Sequence, residues 1–375
     1  MPELVALDLR GGQGFVTALL RIWEAGDAVL PIDPRLPRPA VEHLLDVLRP
    51  SAVVDVDGRH RRSGGEPTEP GDALVIPTSG TTGEPKGVVH THKSVQASAS
   101  ASSARLGVDP ATDRWVACLP LAHIGGLSVV TRALVTGTPV TVLGRFGASE
   151  VERHARNGAT LISLVPTALR RTDASGYRAV LLGGAAPPGQ LADNVVTTYG
   201  MTETGSGIVY DGYPLDGVEL HIGDGRTGKE GEVLVRGPML LRSYRGGVDP
   251  RLPGGWLPTG DGGRLADDGT LVVFGRMAEV IVTGGEKVWP SPVESLIAGH
   301  PAVDQVAVWK RPDPEWGERV VVWVVPADPS SPPDLEALRD LVGSQLAPWA
   351  APREMVLVAN LPHTASGKVR RSGLV

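Results

Sequence analysis

Ile76-Pro-Thr-Ser-Gly-Thr-Thr-Gly-Glu-Pro-Lys-Gly-Val-Val-His-Thr-His92 sets hydroxyls, glycines and one lysine in a loop that follows the apolar strand Ala73-Leu-Val-Ile-Pro77. Such a loop is suited to phosphate. Gly80 and Gly83 let the backbone approach an anion, successive N–H groups can point into one concavity, and Ser79, Thr81 and Thr82 add hydroxyl donors. Lys86 supplies the positive charge. A P-loop of the form Gly-x4-Gly-Lys-Ser/Thr does not fit, because Pro85 stands where that motif needs glycine and Gly87 where it needs a hydroxyl.

The rest of the chain narrows the setting. At 375 residues it can bury more than one core, and its length suggests two or three domains. A net charge of −6 argues against a nucleic-acid surface while leaving room for a local basic pocket for polyphosphate. Cys118 is the only cysteine, which excludes an intramolecular disulfide and a thiolate-rich metal site. Arginine dominates the basic residues, and Lys86 and Lys368 are two of only six lysines. No apolar run reaches the roughly 18 residues of a membrane helix. The N-terminus also lacks a basic-then-apolar leader pattern. The expectation is a cytoplasmic chain without membrane insertion.

Apolar residues at helical spacing (Phe15, Leu19, Ile22, Trp23) predict a helix from Gly14 toward Ala28, followed by the strand Ala28 to Ile32. Asp33-Pro-Arg-Leu-Pro37 breaks the chain before a helix from Ala40 to Leu48 and a strand from Ala52 to Asp55. This alternation predicts an α/β fold with a largely parallel, helix-covered sheet. Asp57 to Pro70 reads as a polar surface loop. The Ala/Ser run from Ala97 to Ser103 reads as a tightly packed helix. From Asp216 to Leu271 short strands with glycine turns predict a β-rich subdomain. After Arg276 the αβ pattern returns, with helices at Pro292 to Gly299 and Asp334 to Leu346 and strands at Val303 to Trp309, Val320 to Val325 and Glu354 to Val358.

Thr78-Ser-Gly-Thr-Thr-Gly-Glu-Pro-Lys-Gly-Val88 resembles the phosphate-binding signature of the ANL superfamily of adenylating enzymes, which comprises acyl- and aryl-CoA synthetases, peptide-synthetase adenylation domains and luciferases. Further motifs follow in the superfamily's order: Leu119-Pro-Leu-Ala-His-Ile-Gly-Gly126, Gly183-Gly-Ala-Ala186, Tyr199-Gly-Met-Thr-Glu-Thr204, Pro258-Thr-Gly-Asp261, Gly275-Arg276, Thr283-Gly-Gly-Glu286 and Ser366-Gly-Lys368. Together they run from about Gly14 to Arg371. The resemblance implies a large N-terminal domain over 1–275 with its β-rich subdomain at about 206–275, a hinge at 276–279 and a small mobile α+β domain over 280–375. Members commonly carry a longer segment ahead of the position of Phe15, so it also implies a compact first subdomain. Ala278 stands at the hinge where the superfamily commonly has Asp or Lys.

The roles that follow are implied by the resemblance. Thr78 to Gly83 and Lys86 would hold the β- and γ-phosphates of ATP. Gly183, Gly184 and Ala185 would form the adenine-facing turn, with Tyr199 on the ring and Gly200 and Met201 beside the nucleotide. Thr202 would touch the α-phosphate and Glu203 would hold Mg2+. Asp261 would accept from the ribose hydroxyls, with Arg276 reaching ribose or phosphate. Lys368 would bridge the acyl carboxylate and the α-phosphate, a placement that stabilises charge developing in the transition state. Gly284 and Gly285 would line the CoA path. His123 and Gly205 would border the acyl substrate, His123 more as a positioning group than as an acid or base.

The implied activity is an ATP-dependent carboxylate–CoA ligase that passes through an acyl-adenylate. The run Tyr199 to Val218 is most similar to compact o-succinylbenzoate–CoA ligases. Another aryl- or acyl-CoA ligase, a carrier-protein-loading enzyme and a non-catalytic nucleotide-binding relative stay open, as does the choice between monomer and homodimer. The pair Arg170 and Arg171 is read as solvent-facing ahead of an anion contact.

Overall fold

The computed structural model describes residues 1–79, 84–185, 189–223, 230–362 and 369–374. Their strands form four sheets. The first runs, in spatial order, Ser243–Tyr244, Pro85–Thr91, Asp72–Ser79, Ala28–Pro31, Leu4–Leu7, Ala52–Asp55 and Gly58–Arg61. Leu4–Leu7 lies parallel to both Ala28–Pro31 and Ala52–Asp55, and all four of its residues are fully buried. The sequence reading began its elements after this strand, although four consecutive apolar residues bounded by Glu3 and Asp8 are the mark of a strand covered on both faces.

One expectation is corrected in this sheet. The stretch 57–70 is not wholly loop, because Gly58–Arg61 returns as an antiparallel edge strand against Ala52–Asp55. The turn is held by Asp55 Oδ1, which accepts from Asp57 N at 2.9 Å and Gly58 N at 3.1 Å. Arg59 and Arg61 then pair with Glu3. A short charged strand is a common way of blunting a sheet edge, and it shows no hydrophobic alternation for a sequence reading to detect.

The second sheet runs Tyr213–Pro214, Ser206–Tyr210, Val195–Met201, Ala179–Leu182, Leu161–Leu164, Trp115–Ala117 and Val140–Val142. The five strands from Val195–Met201 to Val140–Val142 are parallel, as the alternation of strands and helices predicted. The Ala/Ser-rich helix His92–Arg105 packs on Ile124–Thr136, its small side chains permitting close approach. Thr91 caps it, accepting from Ser94 N at 3.1 Å.

An antiparallel third sheet joins Glu219–Ile222, Gly231–Arg236, Leu257–Leu265 and Leu271–Arg276. It starts later than 206 because Ser206–Tyr210 hydrogen-bonds to Val195–Met201 in the second sheet. One continuous apolar core contains Val5, Phe15, Trp115, Leu127, Leu181, Val233 and Leu257, so it joins all three sheets.

The fourth sheet comprises Glu286–Val288, Ile281–Thr283, Gly317–Pro326 and Val303–Asp313, with Glu354–Leu357 parallel to Gly317–Pro326. Helices Pro290–Ala298 and Leu335–Gln345 cover it around a core of its own, including Ile281, Val293, Ile297, Val308, Val322, Leu338 and Val342.

Candidate active site

The site draws on the C-terminal ends of Asp72–Ser79 and Val195–Met201, each parallel to a neighbour, where open α/β sheets leave a crevice, and on the antiparallel third sheet. Asp72–Ser79 and Pro85–Thr91 form a hairpin whose register pairs Thr78 with Lys86. Gly80, Thr81, Thr82 and Gly83 lie outside the described residues, so the structure places only the hairpin's two rails. Thr78 Oγ1 donates to Lys86 O at 3.4 Å. The Lys86 ammonium stands 5.3 Å from the centre of the Tyr244 ring, within cation–π range. Tyr244 reaches that position because Ser243–Tyr244 adds to the free edge of Pro85–Thr91.

Across from Lys86, Tyr244 Oη donates to Glu203 Oε1 at 3.0 Å. Glu203 belongs to the 3-10 turn Thr202–Thr204, which follows directly on Val195–Met201. A bulge at Tyr199/Gly200 re-aims the strand end. Gly200 is required there, since a Cβ would run into the backbone of Ser206 and Gly207 on the neighbouring strand. Gly183 packs equally tightly on the side chain of Thr198, and Gly184 and Ala185 are exposed beyond it.

On the other side of the motif, Tyr199 Oη donates to Asp261 Oδ2 at 2.9 Å. Arg276 Nε lies 3.1 Å from Asp261 Oδ1, and Arg276 Nη1 donates to Thr259 O at 3.0 Å. Asp261 and Arg276 face each other across Leu257–Leu265 and Leu271–Arg276. Burial, then the Asp261 charge, pushes the Tyr199 phenol well above the usual tyrosine range, so it stays a donor. The residues that the sequence placed on ribose and adenine are therefore brought together.

His123 stands just before helix Ile124–Thr136 and faces two groups at once, with its Nε2 lying 3.2 Å from Arg35 Nη2 and 3.3 Å from Asp33 Oδ2. Burial holds its pKa below the ordinary histidine value. Burial alone would raise Asp33, but the bonds and charge of Arg35 hold it below the usual carboxylate range. An imidazole held within hydrogen-bonding distance of an ion pair suits positioning.

Gly205 ends the Thr202–Thr204 turn with φ 69°, and Ser98 Oγ donates to its carbonyl at 3.4 Å. Next to it, Ser206 Oγ accepts from the buried Arg132 Nη2 at 2.5 Å. Arg132 also donates to Ser102 Oγ at 2.8 Å and Tyr210 Oη at 3.3 Å, so its hydrogen-bond partners among the described residues are hydroxyls. The sequence reading did not single out Tyr244 or Arg132. Arg132 had a signal, being the one charge in the otherwise uncharged helix Ile124-Gly-Gly-Leu-Ser-Val-Val-Thr-Arg-Ala-Leu-Val-Thr136.

Gly284 and Gly285, with φ of 59° and 85°, make the tight turn between Ile281–Thr283 and Glu286–Val288, a conformation that favours glycine. Gly284 packs on the Trp316 ring, whereas a Cβ on Gly285 would meet open space. The expected hinge is the 3-10 turn Met277–Glu279, with Ala278 exposed. Arg371 Nη1 holds Glu279 at 2.7 Å and Arg371 Nη2 holds Glu294 at 2.8 Å. Lys368 lies outside the described residues. Arg170 and Arg171 differ little from the expectation of a solvent-facing pair, with Arg171 stacked 5.5 Å from the Phe146 ring.

The donor set fits an adenine nucleotide with magnesium. An acid–arginine pair beside an aromatic ring stands on one side of Tyr199–Glu203, and a lysine and one carboxylate stand on the other. Among the described residues there is no cluster of three or more His, Cys, Asp or Glu placed to cage an ion. Magnesium does not need one, because it binds through one or two carboxylates plus substrate phosphates and water.

The comparisons with known proteins agree with this architecture. The AMP-binding enzyme family matches residues 62–245, and its C-terminal domain matches residues 292–368. A probable 2-succinylbenzoate–CoA ligase of Mycobacterium tuberculosis is 41% identical over 336 residues, covering 83% of this chain and 86% of its own length. The 2-succinylbenzoate–CoA ligase of Bacillus subtilis is 32% identical over 395 residues, covering 95% of this chain and 79% of its own. The solved o-succinylbenzoate CoA synthetase of Bacillus subtilis, in complex with its acyl-adenylate intermediate, superposes with a TM-score of 0.85 at 28% identity, covering 99% of this chain and 88% of that one. The chain belongs to the AMP-binding enzyme family, the adenylate-forming fold that its motifs resembled.

Proposed function

We propose that this chain is an AMP-forming 2-succinylbenzoate–CoA ligase using ATP, Mg2+ and CoA. One observation carries the adenylation reading: a single five-residue motif, Tyr199 to Glu203, is flanked by the Asp261–Arg276 pair on one side and by Lys86 with Tyr244 on the other. That spacing suits a nucleotide laid with its ribose at Asp261 and its phosphates at Lys86.

In the first half-reaction a carboxylate oxygen of the acid attacks the α-phosphorus and pyrophosphate leaves with the electrons of the broken P–O bond. In the second, the CoA thiolate attacks the acyl carbonyl and AMP leaves. The protein's task is to align the groups and spread negative charge. Asp261 and Arg276 orient the ribose, and Tyr199 packs on the adenine beside Gly183 to Ala185, Gly200 and Met201. Thr202 steadies the α-phosphate. Thr78 to Gly83 and Lys86 take up the charge of the departing pyrophosphate. Magnesium, held by Glu203, screens the phosphate charge when bound. Lys368 bridges carboxylate and α-phosphate, and Gly284-Gly285 gives the thiol its path past His123.

The division into 1–275, a hinge at 276–279 and 280–375 belongs to this reading. It lets Lys368 serve the first step and the glycine turn the second. No helix among the described residues is long and apolar enough to cross a membrane. The reading places the reaction in the cytoplasm, where ATP and CoA are supplied.

Two features support a second carboxylate on the substrate. The named relatives act on 2-succinylbenzoate, and Arg132 presents a buried positive charge beside Gly205 through hydroxyls alone among its described hydrogen-bond partners. The test is a panel of carboxylic acids read by pyrophosphate release, followed by AMP and thioester formation with CoA or a carrier protein. The expected outcome is highest kcat/KM for 2-succinylbenzoate and equal amounts of AMP and acyl-CoA. Preference for benzoates, cinnamates or fatty acids would overturn the substrate, and steady ADP formation would overturn adenylation.

A further inference from the structure

His90 is fully buried near the end of Pro85–Thr91, the rail of the phosphate hairpin that carries Lys86. Its Nε2 lies 2.7 Å from Thr202 O, and its Nδ1 lies 3.3 Å from Ser94 Oγ. Burial holds the imidazole neutral, its pKa pushed down to about 4. A neutral imidazole has one N–H, and a carbonyl oxygen can only accept. The proton therefore sits on Nε2 and points at Thr202, and Nδ1 keeps its lone pair toward the Ser94 hydroxyl.

Thr202 O also accepts from Gly205 N at 3.0 Å, the bond that closes the Thr202–Thr204 turn. Both acceptor directions of this carbonyl are thus occupied, one from within the turn and one from the first sheet. His90 is 112 residues away in sequence, so this bond ties the hairpin carrying Lys86 to the turn carrying Thr202 and Glu203. An apolar side chain of similar size would fill the space but leave the carbonyl a single partner and the turn free to shift.

We propose that His90 is a positioning residue for the phosphate-transfer step, acting through Thr202 O to hold the Thr202 hydroxyl and the Glu203 carboxylate in register with Lys86. The proposal rests on the reading of Thr202 and Glu203 as phosphate and magnesium residues. It assigns His90 no proton transfer and no contact with substrate.

The test uses the full chain with 2-succinylbenzoate, ATP, Mg2+ and CoA, measuring pyrophosphate release while magnesium, and in a second series CoA, is titrated. His90→Leu removes the donor, and His90→Gln keeps an amide donor of similar reach. With His90→Leu the half-saturating magnesium concentration is expected to rise, and kcat for adenylation to fall, by about tenfold, the lower end of what loss of an outer-shell partner costs. His90→Gln should recover most of both, and KM for CoA should not move. A packing role alone would lower the melting temperature of both variants without changing the magnesium requirement of the folded protein.

Folded His90→Leu with wild-type magnesium dependence and kcat overturns the proposal. Glu203→Gln separates the two levels of the argument. If it raises the magnesium requirement and His90→Leu does not, only the role of His90 fails, and if neither does, the magnesium reading fails with it. Should His90→Leu not fold, the imidazole 15N shifts of the unaltered protein decide. An Nε2–H tautomer whose signal moves on adding ATP and Mg2+ supports the proposal. An Nδ1–H tautomer, or a signal indifferent to both, overturns it.

Discussion

The Tyr199 hydroxyl donates to the Asp261 carboxylate at 2.9 Å, joining the second parallel sheet to the antiparallel sheet across 62 residues of sequence. Asp261 is held from its other side by Arg276. The ring proposed for adenine and the acid proposed for ribose are therefore aligned before any nucleotide arrives, which reduces the ordering cost of binding.

Tyr199→Phe keeps the ring and removes that alignment. A hydrogen bond to a charged group contributes about 1.5–3 kcal/mol, part of which is ordering of Asp261. The expected result is an ATP Kd weakened about tenfold with little change in KM for the acid, measured by calorimetry and steady-state kinetics. An unchanged ATP Kd would show that Asp261 keeps its orientation without the Tyr199 hydroxyl.

Tyr244 stands between the Lys86 ammonium and the Glu203 carboxylate, with its ring toward one and its hydroxyl on the other. Tyr244→Phe leaves the ring for Lys86 but frees Glu203. The half-saturating magnesium concentration is expected to rise by about tenfold. A magnesium titration of pyrophosphate release reads it directly.

Lys368 and Gly285 should divide the two half-reactions. Lys368→Ala is expected to slow adenylate formation by about 10²–10³ and to leave thioester formation from supplied acyl-adenylate near wild type. Gly285→Trp, whose side chain projects into open space from the glycine turn, should leave adenylation and block the thiol. Rapid-quench measurement of each step decides between this division and a purely structural lysine, which would impair both steps equally.

His90 makes the fold acid-sensitive in a defined window. Its folded pKa of about 4 lies below the unfolded value of about 6.5, so the unfolded chain takes up its proton first. The stability it contributes is present above about pH 6.5 and is lost as pH falls toward 4, roughly 3 kcal/mol in all. Urea unfolding between those pH values should show this slope, and His90→Leu should flatten it.

Glu294 is the opposite case. Burial raises its pKa, against the pull of Arg371, and its carboxylate also accepts from Val308 N at 2.8 Å. Removing the counter-charge with Arg371→Gln leaves a buried carboxylate unpaired, a cost of about 3–5 kcal/mol. Because a raised carboxyl favours its neutral form in the fold, the variant should lose stability as pH rises through the ordinary carboxylate range and beyond. Thermal melts against pH measure this, and Glu294→Gln in the same chain should relieve most of it.

Backbone preferences and spacing within about a dozen residues were enough for the α/β alternation and the packed Ala/Ser helix, while the superfamily came from the resemblance carried by the motifs and their order along the chain. Tyr199, Glu203 and Asp261 could be named because that resemblance is carried by their motifs. Leu4–Leu7 as a central strand and Gly58–Arg61 as an edge strand escaped, the first for lack of alternation on a doubly covered strand and the second for lack of hydrophobicity. Only the tertiary structure decided that Tyr244 meets Glu203 across 41 residues, that His90 meets Thr202 across 112, and that Arg132 lies buried among hydroxyls. Those contacts follow from strand order and register, which bring side chains together through space, and no local propensity of the residues themselves encodes them.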